Sequence, residues 1–129
     1  MGAYSAEDIP LVFDEEGVGW ARQLATEGGI TVELSHLEPG FQIDDLFAGL
    51  PGDRCQCPHW GHVIEGEIVY RTAHGEITAR AGQSYYIPPG HLPTTREVAC
   101  TVVEFSPSDE LAETMAVVER NLAGAASAS

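Results

Sequence analysis

A chain of 129 residues is one domain by the usual size of domains, and it is long enough to bury a core without disulfide help. With 20 acidic against 6 basic residues and a net charge of -14, it lacks the clustered Lys and Arg on which contact with nucleic acid or an anionic membrane rests, so neither partner is expected. Frequent Gly and Pro between short apolar runs favour many short strands over long helices.

Residues 1–8 lack the basic and apolar regions of a secretory signal, and no run approaches the length of a membrane span; a cytoplasmic protein is expected. Residues 9–13 hold an apolar cluster that could dock on a sheet edge. Residues 17–24 are too short a run for periodicity to decide between a strand and one or two helical turns. After the turn at Gly28-Gly29, Ile30, Val32, Leu34 and His36 alternate with Thr31, Glu33 and Ser35, the period-two signature of a half-buried strand that ends at Pro39-Gly40. This phase points His36 inward, as a hydrogen-bonded core histidine. Residues 44–50 read as a strand remnant or a short helical turn before Pro51-Gly52. Residues 65–71 and 76–80 read as a β-hairpin around Thr72-Ala73-His74-Gly75, which leaves His74 in an exposed turn.

Tyr85-Tyr86-Ile87 opens another strand that halts at Pro88-Pro89-Gly90, and residues 101–105 form a further one, closed by Ser106-Pro107. The period then changes. Leu111, Met115, Val118 and Leu122 repeat at three and four, with Ser108 as N-cap and Asp109-Glu110 in the first turn, so residues 108–122 form one amphipathic helix on the exterior of the strands. A small-residue tail, 124–129, is expected to fray.

The chemistry concentrates in Asp53-Arg54-Cys55-Gln56-Cys57-Pro58-His59-Trp60-Gly61-His62, which runs directly into the apolar strand pattern from Val63, and in Tyr85-Tyr86-Ile87-Pro88-Pro89-Gly90-His91. Thiolates and imidazoles are a soft to borderline donor set that suits zinc in tetrahedral geometry better than magnesium or calcium, which take oxygen ligands. Pro58 and the Pro88-Pro89-Gly90 turn stiffen the backbone on either side, which lowers the entropy lost on assembling a site. The chain has 3 cysteines, and in a reducing compartment the Cys55, Cys57 pair reads as ligand or redox chemistry. Cys100, among Val98, Thr101 and Val102, reads as a small buried hydrophobe. The bland alternative is a metal-free core that contains these Cys and His side chains.

Three further residues have two readings each. Tyr85 is in phase with Ile87 and His91, so its hydroxyl could enter the interior as a proton donor or make a single core hydrogen bond. Glu104 shares its phase with Val102, as an inward base of raised pKa or an outward, solvated carboxylate. Trp60 could serve as packing or as a substrate wall.

Over residues 46–107 the chain resembles the cupin superfamily, in particular small single-domain bacterial cupins with a Cys-x-Cys-Pro-His-Trp-Gly stretch. Of that family's second motif, Gly82, Pro88 and Gly90 fall at the required offsets, while Pro93 and Glu97 stand at its His and Asn positions. His91 lies two residues early, one strand period, and so keeps the same face. The first motif can be counted in two ways. From Gly49, Cys55 and Cys57 fall on the two histidine positions and His62 on the glutamate. Back from Gly66, His59 falls on the glutamate position, Cys55 on the second histidine and Asp53 on the first. The second count is preferred because residues 63–68 read as the family's strand and turn, with Cys57, His59, Gly61 and Val63 on one face and His62 on the other.

The resemblance implies an all-β fold: a single-domain cupin double-stranded β-barrel (jelly-roll) spanning residues 1–129, with a barrel core at about 28–107 and a C-terminal α-helix at about 108–122. It also implies a homodimer and a mononuclear divalent metal inside the barrel, held by Cys55, Cys57, His59 and His91. Zinc is favoured over iron, because thiols beside activated oxygen are easily oxidised. With an open position on the metal, and Tyr85 and Glu104 as catalytic groups, isomerase, lyase or hydrolase chemistry on a small molecule becomes available. The alternatives are a non-catalytic ligand-binding or metal-stabilised module, and a metal-free acid-base cyclase or dehydratase.

Overall fold

The structure, a computed structural model, describes residues 1–128. Among the described residues, runs bounded by Gly and Pro fold into eight strands and one α-helix: β1 (Leu11–Glu15), β2 (Gly19–Ala25), β3 (Ile30–Leu37), β4 (His59–Thr72), β5 (Gly75–Arg80), β6 (Ser84–Ile87), β7 (His91–Thr94), β8 (Cys100–Pro107) and α1 (Ser108–Ala128). The strand order is β1-β2-β3-β8-β4-β5, with β6 and β7 also paired to β4, and every pairing is antiparallel. The apolar cluster near the amino terminus becomes edge strand β1, the ambiguous run from Gly17 becomes β2, and residues 44–50 contain a 3-10 turn, Asp44–Phe47.

The barrel is organised around β4, a strand of 14 residues. Its first half pairs with β6 and β8 and its second half with β5 and β7, so it must bend to serve both sheets. The bend falls at a register shift between Val63 and Glu65, beside Gly66 with φ of 78°. A Cβ at Gly66 would collide with the backbone carbonyl of Ala99, so both the left-handed conformation and the close strand approach require glycine there. Between the two sheets lie Leu37, Val63, Ile68, Ile87 and Val102, each side chain contributing about 1.5–3 kcal/mol by leaving water.

Strand β3 has the opposite phase from the one its hydrophobic residues suggest. Thr31 and Ser35 are buried and Leu37 joins the core, whereas Ile30 is exposed and Val32, Leu34 and His36 are only partly covered on the outer face. His36 therefore points outward: it stacks on Trp20, its Nδ1 lies 2.9 Å from Thr101 Oγ1 and its Nε2 lies 3.3 Å from Glu38. The inversion has a physical cause. The barrel interior at this level is polar, so the apolar set of β3 is left for the outer surface, where it meets Leu24 of β2 and Phe105 of β8 in register.

Helix α1 extends past the expected end and is helical as far as Ala128, where a frayed tail was expected; Ser129 lies outside the described residues. Leu111 and Val118 bury against Phe47 and Cys57, with Met115 alongside. Asn121 Nδ2 donates to the carbonyls of Leu46 and Ala48 at 2.8 and 2.9 Å, which fastens the helix to the Asp44–Phe47 turn. The apolar face of α1 thus walls the interior cavity, whereas the sequence pattern placed it on the exterior. Among the described residues, no helix is long and apolar enough to cross a membrane.

Candidate functional site

Backbone pairing across the barrel mouth brings the first cluster together. The Cys55 amide donates to the His91 carbonyl at 2.9 Å, and the amides of His91 and Gly90 donate back to the Cys55 carbonyl at 3.2 and 2.8 Å. This bridge fixes Cys55 beside the first residue of β7, while His59 enters at the first residue of β4, paired with Ile87 of β6. One donor atom from each of Cys55, His59 and His91 lies within 4.8 Å of the other two. Cys55 Sγ is 3.7 Å from His59 Nε2, and the two imidazoles meet edge to face with centroids 4.9 Å apart. All three side chains are buried.

Each imidazole is oriented through Nδ1. His91 Nδ1 donates to the Pro88 carbonyl at 2.7 Å, which fixes its tautomer and leaves an unprotonated Nε2. That Nε2 is buried with no hydrogen-bond partner. His59 Nδ1 lies 2.7 Å from Ser106 Oγ, and its Nε2 faces Cys55. Burial pushes both histidines down to about 4 and the Cys55 thiol up to about 12. Two neutral imidazoles held at Nδ1, one thiol and an orphaned buried nitrogen fit a single borderline divalent ion, in which the partners at Nδ1 would orient the ligands.

Cys57 does not join this group. The chain between Gln56 and Pro58 is not a strand, so the period-two argument that placed Cys57 with His59 fails there. Its Sγ lies 3.4 Å from the Pro58 carbonyl, and the side chain packs with Phe47, Leu111 and Val118 beneath α1. The phase of β4 itself is as expected: His59 and Val63 are buried, whereas Trp60 and His62 face out. His62 Nδ1 lies 2.8 Å from Ser84 Oγ, and Trp60 sits on the outer surface against Tyr86, away from the interior. Cys100 is fully buried in the apolar core.

A second cluster lies deeper in the barrel. Glu104 points inward, as its phase with Val102 suggested, and its Oε1 accepts from both Tyr70 and Tyr85. Tyr85 finds room because position 61 is glycine; a Cβ there would overlap the phenol ring. Directly opposite Glu104 on β3 stands Glu33, which the sequence pattern assigned to the outer face. Its Oε1 accepts from Gln23 Nε2 at 2.5 Å and its Oε2 from Ser35 Oγ at 2.8 Å. Burial raises the pKa of both carboxyls; at Glu33 the neighbouring Glu104 charge adds to the rise. Glu33 and Tyr70 are the site residues missed in the sequence. A signal for Glu33 was present, since Thr31, Glu33 and Ser35 form a polar triplet on one strand face.

Both clusters open on one cavity of about 130 Å³, with Cys55, His59 and His91 at one side and Glu33, Tyr70 and Glu104 at another. Phe41, Ile68, Val102 and the α1 residues Leu111 and Met115 supply apolar walls.

A scan against protein-family models found no match, and a sequence search of curated proteins found none either. Solved structures do match. An ethanolamine utilization protein, EutQ, of Salmonella typhimurium superposes with a TM-score of 0.58 at 15% identity, covering 81% of this chain and 84% of that one. The polyketide cyclase RemF of Streptomyces resistomycificus gives 0.58 at 16%, covering 84% and 80%. A sugar phosphate isomerase from the cupin superfamily, of Silicibacter pomeroyi, gives 0.56 at 21%, covering 82% and 75%. These likenesses establish the fold alone: the chain has a cupin-type β-barrel fold with a carboxy-terminal helix.

Proposed function

We propose that this cupin is a small-molecule metalloenzyme of the isomerase, lyase or hydrolase type, with Cys55, His59 and His91 as the ligands of one divalent ion, zinc. The observation that carries this reading is the buried, unprotonated and unpartnered Nε2 of His91 beside a thiol and a second neutral imidazole. A buried acceptor left without a partner costs about 1–3 kcal/mol, and a cation is the partner that this donor set suits. When bound, the ion supplies Lewis acidity toward a carbonyl or hydroxyl oxygen of the substrate.

The chain's own residues divide the remaining work. Ser106 and the Pro88 carbonyl hold the imidazoles. Glu104, whose pKa burial raises and whose Oε1 accepts from the hydroxyls of Tyr70 and Tyr85, faces the cavity, where it can exchange a proton with a bound group. Tyr85 keeps its proton, because burial and the Glu104 charge raise its pKa far above the usual range, so it acts as a donor and never as a base near neutrality. The apolar walls lower the local dielectric around these contacts and strengthen them. A metal-free cyclase or dehydratase is the second reading; it would draw on the carboxyl and phenol groups that Glu33, Glu104, Tyr70 and Tyr85 bring together in the barrel.

A homodimer is part of the proposal. The outer faces of β2, β3, β8, β4 and β6 align Leu24, Val32, Phe105, Trp60 and Tyr86 in one apolar stripe by strand register, and Phe105, Trp60 and Tyr86 are exposed. A second copy meeting this stripe would cover it.

Metal content per chain, measured on protein purified without a chelating tag and again after zinc reconstitution under reducing conditions, tests the metal reading. One zinc per chain in the native protein, lost in Cys55→Ala and His91→Ala, is the expected result. No zinc after reconstitution would exclude the metalloenzyme and leave the acid-base reading.

A further inference from the structure

The barrel cavity carries a chemical bias that selects among ligands. Glu33 and Glu104 sit directly opposite each other on β3 and β8, line the same cavity, and as facing residues of an antiparallel pair have Cβ atoms about 4.5–5.5 Å apart. Two ionised carboxylates facing each other inside the barrel repel, which favours a proton shared by the pair over two full charges. Their remaining contacts are all donors from the protein: Gln23 and Ser35 to Glu33, Tyr70 and Tyr85 to Glu104. His59, His91 and Cys55 are the other titratable groups on the cavity wall along with Tyr70.

Among the described residues, no Arg lines this cavity, and the sequence contains no Lys. At the side of the cavity formed by the pair, away from Cys55, His59 and His91, a phosphate or carboxylate would meet a negative carboxyl pair and no guanidinium or ammonium to offset the charge. A ligand that brings O–H or N–H donors and no negative charge would instead complete the acceptor capacity of the pair. The size is also bounded. A protein cavity of about 150 Å³ accepts benzene, so a cavity of about 130 Å³ suits a molecule of about that bulk, with its apolar part against Phe41, Ile68 and Val102.

We propose that the barrel interior takes a small non-anionic hydrogen-bond donor, an alcohol, phenol or amine of about benzene size, with its polar end on the Glu33–Glu104 pair. This inference rests on the functional reading above for the location of the substrate, but its basis is the carboxyl pair and the cavity wall. Glu33 is then a ligand-binding residue.

The test uses phenol, benzylamine and benzoate, three probes that share a ring and differ in charge. Their binding is followed by methyl NMR shifts of Ile68, Val102 and Met115, in chelator-treated protein and in zinc-reconstituted protein. Phenol or benzylamine is expected to bind at least tenfold more tightly than benzoate in the chelator-treated protein. Phenol ahead of benzylamine would assign an uncharged ligand, and the reverse a cationic one. The Glu33→Gln, Glu104→Gln double variant should lose most of that tenfold preference; the wild-type comparison stands without the variant if the variant does not fold. Benzoate binding as tightly as phenol in chelator-treated protein, or no probe shifting the three methyl groups, would overturn the proposal. Failure to take up zinc would remove the metalloenzyme reading and leave the chelator-treated comparison as it is.

Discussion

Zinc binding to the metal-free protein should release one proton per ion at neutral pH. Burial holds the Cys55 thiol at about 12 and both imidazoles at about 4, so at pH 7 the sulfur is protonated and the two ring nitrogens are free. Deprotonating a thiol at about 12 in a solution at pH 7 costs about 7 kcal/mol at 1.36 kcal/mol per unit, and metal coordination must offset this. The sign is fixed by the thiol: lower pH weakens binding. Between pH 6 and pH 8, where the histidines do not titrate, apparent affinity should rise about tenfold per unit, or about 2.7 kcal/mol over the interval. Competition against a chelator of known affinity gives the slope. Calorimetry in two buffers of different ionisation enthalpy gives the proton count directly. An affinity independent of pH would remove Cys55 from the ligand set. A count approaching two protons per ion would mean that a second acid ionises, either water at the open position or Cys57, and the number of sulfurs on the metal distinguishes them.

Cys57→Ala should keep one zinc per chain and lose about 1–2 kcal/mol of stability in urea, because its sulfur fills space beneath α1 and donates nothing to the cluster; loss of zinc with the fold intact would contradict that placement. Gly66→Ala should cost about 3 kcal/mol or more, since the new methyl group meets both a left-handed backbone and the Ala99 carbonyl; a normal melting temperature would show that the bend in β4 lies elsewhere. For the outer stripe, wild-type protein should sediment as a dimer and Phe105→Glu as a folded monomer; a monomeric wild type would refute the assignment of that face.

Much of the molecule was legible in its residues. Gly and Pro punctuation located the hairpin around His74 and the turn before His91, and the three-and-four spacing from Leu111 located the helix. His59, His91, Cys55, Tyr85 and Glu104 all face the interior; strand phase pointed there for His59, His91 and Tyr85, while Glu104 had two readings and Cys55 was placed only by its motif position. The failures share a cause. Period-two reasoning assumes a regular strand with an apolar interior, and neither condition holds near the site. Cys57 lies in an irregular segment ahead of Pro58, so its parity with His59 carried no information. Strand β3 crosses a polar part of the interior, so Glu33 turned inward and His36 outward against their apparent hydrophobic order. The pairing of Glu33 with Glu104 depends on which strand lies next to which, and β3 and β8 are far apart in sequence.

The central claim concerns which atoms hold the metal, and X-ray absorption at the zinc edge of the reconstituted protein reads them directly. One sulfur with two imidazole nitrogens and a further light-atom ligand is the predicted shell, from Cys55, His59 and His91 with one position open to the cavity. Two sulfurs would place Cys57 on the metal and close the site, and a shell without sulfur would contradict the account.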